Sequence, residues 1–170
     1  MLNGASHLYV VMGVAGSGKS TVGAAFAKAL GISFVEGDQY HPAENVQRMA
    51  LGIPLTDKDR LPWLSALATR IREAKLAGKG LVIACSALKR SYRDILRVEA
   101  PELRFIYLKG DRALVGTRLA GRRGHFMPAS LLDSQFATLE EPSPEENAWV
   151  CDISRASQDI VDDLVARATT

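Results

Sequence analysis

The residues with the clearest chemical signature lie near the N-terminus, where residues 13–20 read Gly-Val-Ala-Gly-Ser-Gly-Lys-Ser and fit the pattern G-x-x-x-x-G-K-[ST]. Glycines let backbone N–H groups point inward at phosphates, and a following helix offers its positive N-terminus. Lys19 is expected to reach the β- and γ-phosphates, and Ser20 to ligate Mg²⁺. We therefore predict a nucleotide site formed by Gly13, Val14, Ala15, Gly16, Ser17, Gly18, Lys19, Ser20 and Thr21.

The surroundings of this loop decide between a phosphate site and an ordinary glycine-rich turn. An apolar, strand-like run precedes the loop and a helical pattern follows it, which is the context that the motif requires. A switch GTPase would also carry a guanine-reading N-K-x-D segment, and a translocating ATPase a strand that ends in a magnesium-binding Asp. The sequence has neither, so binding of ATP or GTP is predicted without either of those activities.

A second group of polar residues follows the second predicted strand, in Glu36-Gly37-Asp38-Gln39-Tyr40-His41. Ligands of open parallel sheets bind outside the carboxyl ends of the strands. Asp38 is therefore predicted to act as the base that accepts a proton from an attacking hydroxyl, or to hold Mg²⁺ through water. The alternative is a turn Asp that binds its own backbone. His41 could contact a substrate hydroxyl or pack within the loop.

Basic residues also lie on the predicted acceptor side. Arg48 follows Asp38 on a helix, and Lys89, Arg90 and Arg93 cluster after the third predicted strand. A planar guanidinium pairs with a carboxylate through two hydrogen bonds, so the cluster favours an anionic acceptor. The alternative for each of these cations is a solvated helix face.

A third basic group lies in residues 118–128, which contain Arg118, Arg122 and Arg123. The segment 121–128 lacks apolar periodicity, and we predict a mobile lid over about 121–130. Arginines that close over the nucleotide would stabilise the transferring phosphoryl group and exclude water. Arg122 or Arg123 is predicted to serve as that catalytic arginine and Arg118 to stack on adenine. The alternative is a basic helix end favoured by the helix dipole.

Strands and helices alternate along the chain, which indicates an α/β fold with a five-stranded parallel sheet between two helical layers. A single domain, residues 1–170, is expected. The apolar runs and their spacing predict strands at 8–12, 32–36, 81–85, 105–108 and 148–153. Helices are predicted at 19–30, 42–50, 59–77, 89–98, 112–122, 130–139 and 158–168.

The composition excludes some classes of partner but does not indicate a function. The 170 residues carry a net charge of +2 with basic and acidic residues interleaved, so no nucleic-acid or membrane partner is indicated. Cys85 and Cys151 lie in separate apolar runs and are expected to be reduced and buried, as in a cytoplasmic protein. No secretory leader or membrane span is predicted.

Beyond the phosphate loop, several runs resemble the gluconokinases of the small P-loop kind, relatives of shikimate and adenylate kinases. The likeness spans about residues 9–142 and includes Gly13 to Ser20, Gly37-Asp38-Gln39-Tyr40-His41-Pro42, Asn45, Arg48-Met49, Asp59-Arg60, Pro62-Trp63-Leu64, Cys85-Ser86-Ala87-Leu88-Lys89, Tyr92-Arg93, His125-Phe126-Met127, Ser134-Gln135 and Leu139-Glu140.

The resemblance implies transfer of phosphate from ATP to D-gluconate, giving 6-phosphogluconate and ADP, with Mg²⁺. It also implies a nucleoside-monophosphate-kinase-like fold with a lid, and a homodimer. By position, Asp38 matches the acidic residue that faces the acceptor hydroxyl, and the lid arginines match the lid of the family. The full predicted substrate-binding set is Asp38, His41, Arg48, Lys89, Arg93 and His125. The third strand ends in Cys85-Ser86 instead of Asp, so Asp38 is expected to serve the metal together with Ser20.

Overall fold

The structure, a computed structural model, describes residues 7–121 and 129–170. Five parallel strands form one sheet in the order β2-β3-β1-β4-β5. Their bounds are β1 Leu8–Met12, β2 Ser33–Glu36, β3 Leu81–Ala84, β4 Arg104–Lys109 and β5 Trp149–Asp152. The strand order reverses beside β1, so the loop that leaves its carboxyl end opens at the position where such sheets bind ligands.

Seven α-helices connect or flank these strands in the described residues. They are α1 Lys19–Leu30, α2 Ala43–Ala50, α3 Asp57–Leu76, α4 Arg90–Arg97, α5 Arg112–Ala120, α6 Ala129–Thr138 and α7 Ser157–Ala168. Two short 3₁₀ turns, Gly37–Tyr40 and Pro144–Glu146, were not predicted from the sequence. The predicted order of elements is confirmed, and most boundaries differ by one or two residues.

Buried side chains form a core on each face of the sheet because successive strand residues point to opposite faces. In β1, Leu8, Val10 and Met12 pack into one core together with Trp63 and other residues of α3 and α4. Tyr9 and Val11 face the other core, which includes apolar residues of α1 and α7. The three-layer α/β fold is therefore confirmed, and its sheet positions the loops at one edge.

Local sequence signals set several helix ends. Gly31 ends α1 with a left-handed φ of 69°, where a glycine carries no steric penalty. Thr56 caps α3 by accepting a hydrogen bond from the Asp59 amide at 3.1 Å, and the Asp59 carboxylate accepts from the Thr56 amide at 3.0 Å. This reciprocal cap starts α3 at Asp57, two residues before the predicted start.

Among residues 7–121 and 129–170, no helix is long and apolar enough to cross a membrane. The predicted lid segment falls largely on residues 122–128, which lie outside the described part of the chain.

Candidate active site

A cleft of about 380 Å³ opens at the carboxyl ends of β1, β2 and β3. The phosphate loop forms one side, which we call the nucleotide wall. The other side, which we call the acceptor wall, comes from residues after β2 and from α3. The lining residues are Ala15, Gly16, Gly18, Lys19, Ser20, Glu36, Asp38, His41, Met49, Leu55, Arg60, Trp63, Ser86, Leu119 and Gln135. The cleft therefore brings two of the predicted polar groups together.

Backbone geometry shapes the nucleotide wall. Gly16 and Gly18 have φ values of 79° and 96°, which glycine adopts readily and other residues do not. A Cβ at Gly16 would lie 2.6 Å from Leu119 Cγ, so the loop packs directly against α5. The Lys19 ammonium donates to the Val14 carbonyl at 2.9 Å. The loop thus wraps around its own lysine at the N-terminus of α1, as the sequence predicts.

Oxygen ligands meet where α1 begins and β2 ends. The Ser20 hydroxyl donates a hydrogen bond to the Glu36 carboxylate, and Asp38 lines the same cleft. Magnesium in phosphotransfer sites is bound by one or two carboxylates, substrate phosphates and water, so this donor set fits the ion. No group of three or more His, Cys, Asp or Glu side chains in the described ranges could hold a metal without such phosphates.

Glu36 was not selected from the sequence as a site residue. The sequence predicts a site role for Asp38, which follows a glycine after the strand, whereas Glu36 is predicted only as the last residue of that strand. The contact with Ser20 arises because β2 lies beside β3 at one edge of the sheet, with α1 packed against both.

Aromatic packing holds the turn that carries Asp38. The indole N–H of Trp63 donates to the Gly37 carbonyl at 2.8 Å, and Trp63 itself is 1% exposed. The His41 ring stacks on Trp63 with ring centroids 4.0 Å apart. A Cβ at Gly37 would lie 2.3 Å from the Ala84 carbonyl oxygen, so this turn presses against β3. Asp38 is therefore presented by a firmly seated turn.

The electrostatics of His41 result from this packing. Burial lowers its pKa to about 4, with the Asp38 carboxylate raising it and the Arg60 guanidinium lowering it further. His41 is thus neutral near pH 7. A neutral ring in this position can donate a hydrogen bond to a substrate hydroxyl or accept one from it.

Three of the predicted acceptor cations do not line the cleft. Arg48 pairs with Asp59 at 2.8 Å, and Lys89 pairs with Asp57 at 3.0 Å. Arg93 is 0% exposed and forms two hydrogen bonds with the Glu146 carboxylate, at 2.8 and 3.1 Å. The structure therefore places all three cations outside the lining of the cleft, each beside an acidic partner, and it corrects the prediction for the fully buried Arg93. Substrate contact by Arg48 and Lys89, which stay partly exposed, remains a prediction.

The buried Arg93 supports the loop after β3. Its guanidinium donates to the Ala87 carbonyl at 2.9 Å, and Ala87 has a left-handed φ of 45°. Burial alone would raise the pKa of Glu146, but hydrogen bonds from Arg93, the Ser143 backbone and Arg97 outweigh it and lower the pKa to about 2. Arg93 is thus part of a buried ionic cluster instead of a substrate contact.

Besides Glu36, two further polar residues of the site, Arg60 and Gln135, were not predicted from the sequence. Arg60 lies in the first turns of α3. Among the described residues that line the cleft, it is the one cation outside the phosphate loop. Gln135, on α6, accepts a hydrogen bond from the Ala15 amide at 2.7 Å. Both occur in runs that carry the family resemblance, yet neither has a local pattern that assigns a role to it.

A second cavity of about 470 Å³ adjoins the cleft at Gly16 and Gly18. It is lined further by Thr21, Thr117 and Arg118, and by residues at the start of α7. The Arg118 guanidinium donates to the Ile153 carbonyl, which fixes it at the rim of this cavity. The other predicted lid residues, Arg122, Arg123 and His125, lie outside the described residues.

Comparison with known proteins places this geometry in a family. The profile of the AAA domain matches residues 8–142. Thermoresistant gluconokinase from Escherichia coli (strain K12) is 46% identical over 156 residues, which cover 91% of this chain and 89% of that protein. The chain belongs to the gluconokinase family. A gluconokinase from Gluconobacter oxydans (strain 621H) is 51% identical over 137 residues, 81% of this chain and 77% of its own length.

Solved structures agree with the family assignment. A gluconokinase from Sinorhizobium meliloti 1021 superposes with a TM-score of 0.87 at 46% identity, covering 96% of this chain and 93% of that chain. The P-loop kinase fold predicted from the sequence is thereby confirmed.

Proposed function

We propose that this protein transfers the γ-phosphoryl group of ATP to the terminal hydroxyl of D-gluconate, giving 6-phospho-D-gluconate and ADP. One observation carries the proposal: a single cleft has a phosphate loop on one wall and a carboxylate, a neutral histidine and an arginine on the other. Family membership supports the choice of acceptor, because the similar proteins are named for gluconate.

The two cavities suit the two parts of ATP. Residues 13–21 would bind the phosphates through backbone N–H groups and Lys19. The second cavity, which begins at Gly16 and Gly18 and is lined by Arg118, would take the nucleoside. In this arrangement the γ-phosphate would lie on the side of the cleft that Asp38 lines.

In the proposed mechanism, Asp38 orients the acceptor hydroxyl and accepts its proton as the oxygen attacks. Lys19 stabilises charge that develops on the phosphate oxygens. Arg122 and Arg123 are proposed to close over the phosphates, and His41 and His125 to contact the sugar hydroxyls. Bound Mg²⁺, for which Ser20, Asp38 and Glu36 provide fitting ligands, would neutralise the β- and γ-phosphates.

A coupled assay of ADP release tests the proposal. Gluconate, idonate, shikimate and nucleoside monophosphates should be compared at equal concentrations. Gluconate is expected to give the highest kcat/KM. Faster turnover of another hydroxy acid would transfer the proposal to that acceptor, and ATP binding without acceptor-dependent ADP release would identify a nucleotide-binding module.

Further elements of the proposal concern the state of the protein. We propose one kinase domain over residues 1–170 with a lid at about 121–130, and a cytoplasmic homodimer. The two cysteines are free and buried, which suits a reducing compartment. Sedimentation at several protein concentrations would test the dimer.

A further inference from the structure

The charge balance of the acceptor wall singles out one arginine, Arg60, whose role as assigned below depends on the proposed function. Arg48, Arg93 and Lys89 are each paired with a carboxylate within 3.0 Å. Arg60 forms no ion pair with any carboxylate in the described ranges, although it is half-buried in the cleft. A half-buried guanidinium with no carboxylate in direct contact is a ready site for an anion.

The Arg60 guanidinium is held from one edge. Its Nη1 donates to the Leu55 carbonyl at 2.8 Å and to the Tyr92 hydroxyl at 3.0 Å. The cation also lies 5.3 Å from the centroid of the Tyr92 ring. Within residues 7–121 and 129–170, Nη2 and Nε make no hydrogen bond. One edge of the planar group is therefore fixed, and the other can bind a carboxylate through two parallel bonds.

A chain of hydrogen bonds fixes Tyr92 in turn. Its hydroxyl donates to Asp57, which also accepts from the Lys89 ammonium at 3.0 Å. Tyr92 is 3% exposed, so its ring cannot move without disturbing the core. Lys89, predicted from the sequence to bind the acceptor, thus contacts Asp57 and the Tyr92 ring and does not line the cleft.

The cleft offers polar groups for both ends of an extended sugar acid. Lys19, Glu36 and Asp38 line it together with His41 and Arg60. Asp38 and Arg60 are carried by different elements, the 3₁₀ turn after β2 and helix α3. An extended aldonate has its reacting hydroxyl and its carboxylate at opposite ends, so a site for it needs two separate polar contacts, such as Asp38 and Arg60.

We propose that Arg60 binds the C1 carboxylate of the acceptor, with Tyr92 as its positioning residue, and that this contact selects sugar acids over their neutral analogues. His41 lines the same cleft and would contact the intermediate hydroxyls. Lys19 is assigned to the phosphates, so among the described residues of the cleft Arg60 is the cation left to distinguish acceptors.

The test compares Arg60→Gln with the wild-type protein, using two constants. One is the KM for D-gluconate. The other is the inhibition constant of D-gluconamide, which has the same carbon chain without the charge. In Arg60→Gln, the KM for gluconate is expected to rise about 100-fold, since charged hydrogen bonds are lost, while the inhibition constant of the amide changes less than about threefold. The KM for ATP should stay within about twofold of wild type.

Related variants refine the test. Arg60→Lys keeps the charge but not the planar fork, so an increase in KM of about 10-fold is expected. Tyr92→Phe should raise the KM for gluconate by less, again without a matching change for the amide. Arg72→Gln is the matched control, because Arg72 is on the same helix, is half exposed and pairs with Glu99 at the surface.

Two outcomes would overturn the assignment. An unchanged KM for gluconate in Arg60→Gln would remove Arg60 from the acceptor site. Equal increases for gluconate and the amide would show a structural role instead of carboxylate recognition. If the wild-type protein itself releases no ADP with gluconate, the proposed function fails and the assignment of Arg60 fails with it. If only the assignment of Arg60 is wrong, the wild-type protein still releases ADP, so the two cases are distinguishable.

Discussion

The two walls of the cleft are built in different ways. The nucleotide wall is one continuous stretch, residues 13–21, between β1 and α1, and its glycine φ values and helix N-terminus supply most of its geometry. The acceptor wall combines the 3₁₀ turn Gly37–Tyr40 with residues of α2, the following loop and α3. The shape of the nucleotide wall is therefore set by its local sequence, whereas the shape of the acceptor wall depends on contacts between residues far apart in the chain.

This difference has consequences for substitutions. A change in the nucleotide wall should act directly on phosphate binding and turnover. A change near the acceptor wall can act on substrate recognition, or on the packing that holds the wall, and the residue type alone does not distinguish the two. Variants that separate activity from stability therefore test the comparison.

The largest expected effect is in the nucleotide wall. Lys19→Met removes the ammonium that the phosphate loop encloses, and turnover should fall on the order of 10³-fold because developing phosphate charge loses a fixed cation. The free energy of unfolding should change little. Steady-state kinetics and urea unfolding measure the two quantities. Lys28→Met, in the last turn of α1, is the control. Turnover within tenfold of wild type would contradict the assignment of Lys19.

The next prediction concerns Arg93, which lies behind the acceptor wall. Arg93→Met leaves Glu146 buried with one arginine partner fewer, and breaking a buried ion pair in this way costs about 3–5 kcal/mol of unfolding free energy. Urea unfolding measures the loss. At a temperature where the variant stays folded, the KM for gluconate should remain close to that of wild type.

A double variant tests whether the stability lost in Arg93→Met comes from the uncompensated charge of Glu146. Arg93→Met combined with Glu146→Gln removes the uncompensated charge, so part of the lost stability should return. A single variant destabilised by under about 1 kcal/mol, or a double variant no better than the single one, would contradict the buried cluster.

The role of Arg93 could not be predicted from the sequence. It lies on the first turns of α4 among other cations, and this pattern is the same for a substrate contact and for a buried pair. Its partner Glu146 lies 53 residues further along the chain. Likewise, the bond between Ala15 and Gln135 joins residues 120 apart. Such contacts are set by how helices dock on the sheet, and no local spacing encodes them.

The fold itself could be predicted well because its signals are local. The strand at Leu8–Met12 and the helix at Lys19–Leu30 were predicted with their observed bounds, since apolar runs, glycine and helical spacing mark them directly. The 3₁₀ turn Gly37–Tyr40 was missed, because it is held by Trp63 from another helix. The same tertiary contact positions Asp38, so its orientation could not be read from the turn alone.

Asp38 provides the third prediction. Asp38→Asn keeps the size of the side chain but removes the base, so turnover should fall about 10²-fold or more while ATP still binds. ATP affinity measured by calorimetry and turnover measured by ADP release separate the two effects. Glu44→Gln, on an exposed carboxylate of α2, is the control. Unchanged turnover would remove Asp38 as the base and leave the acceptor wall without one.

The smallest effect concerns the pH response of the acceptor wall. His41 has a pKa of about 4 in the folded protein, against 6.5 as its ordinary value. Between these values the unfolded chain binds the proton and the folded protein does not, so stability should fall as the pH drops from about 6.5 to 4. His41→Gln lacks this component, and its unfolding free energy should vary less over that range. An NMR titration of the ring protons should give a midpoint near 4. A midpoint near 6.5 would mean that the ring is not held against Trp63, and the acceptor wall would then be looser than its packing indicates.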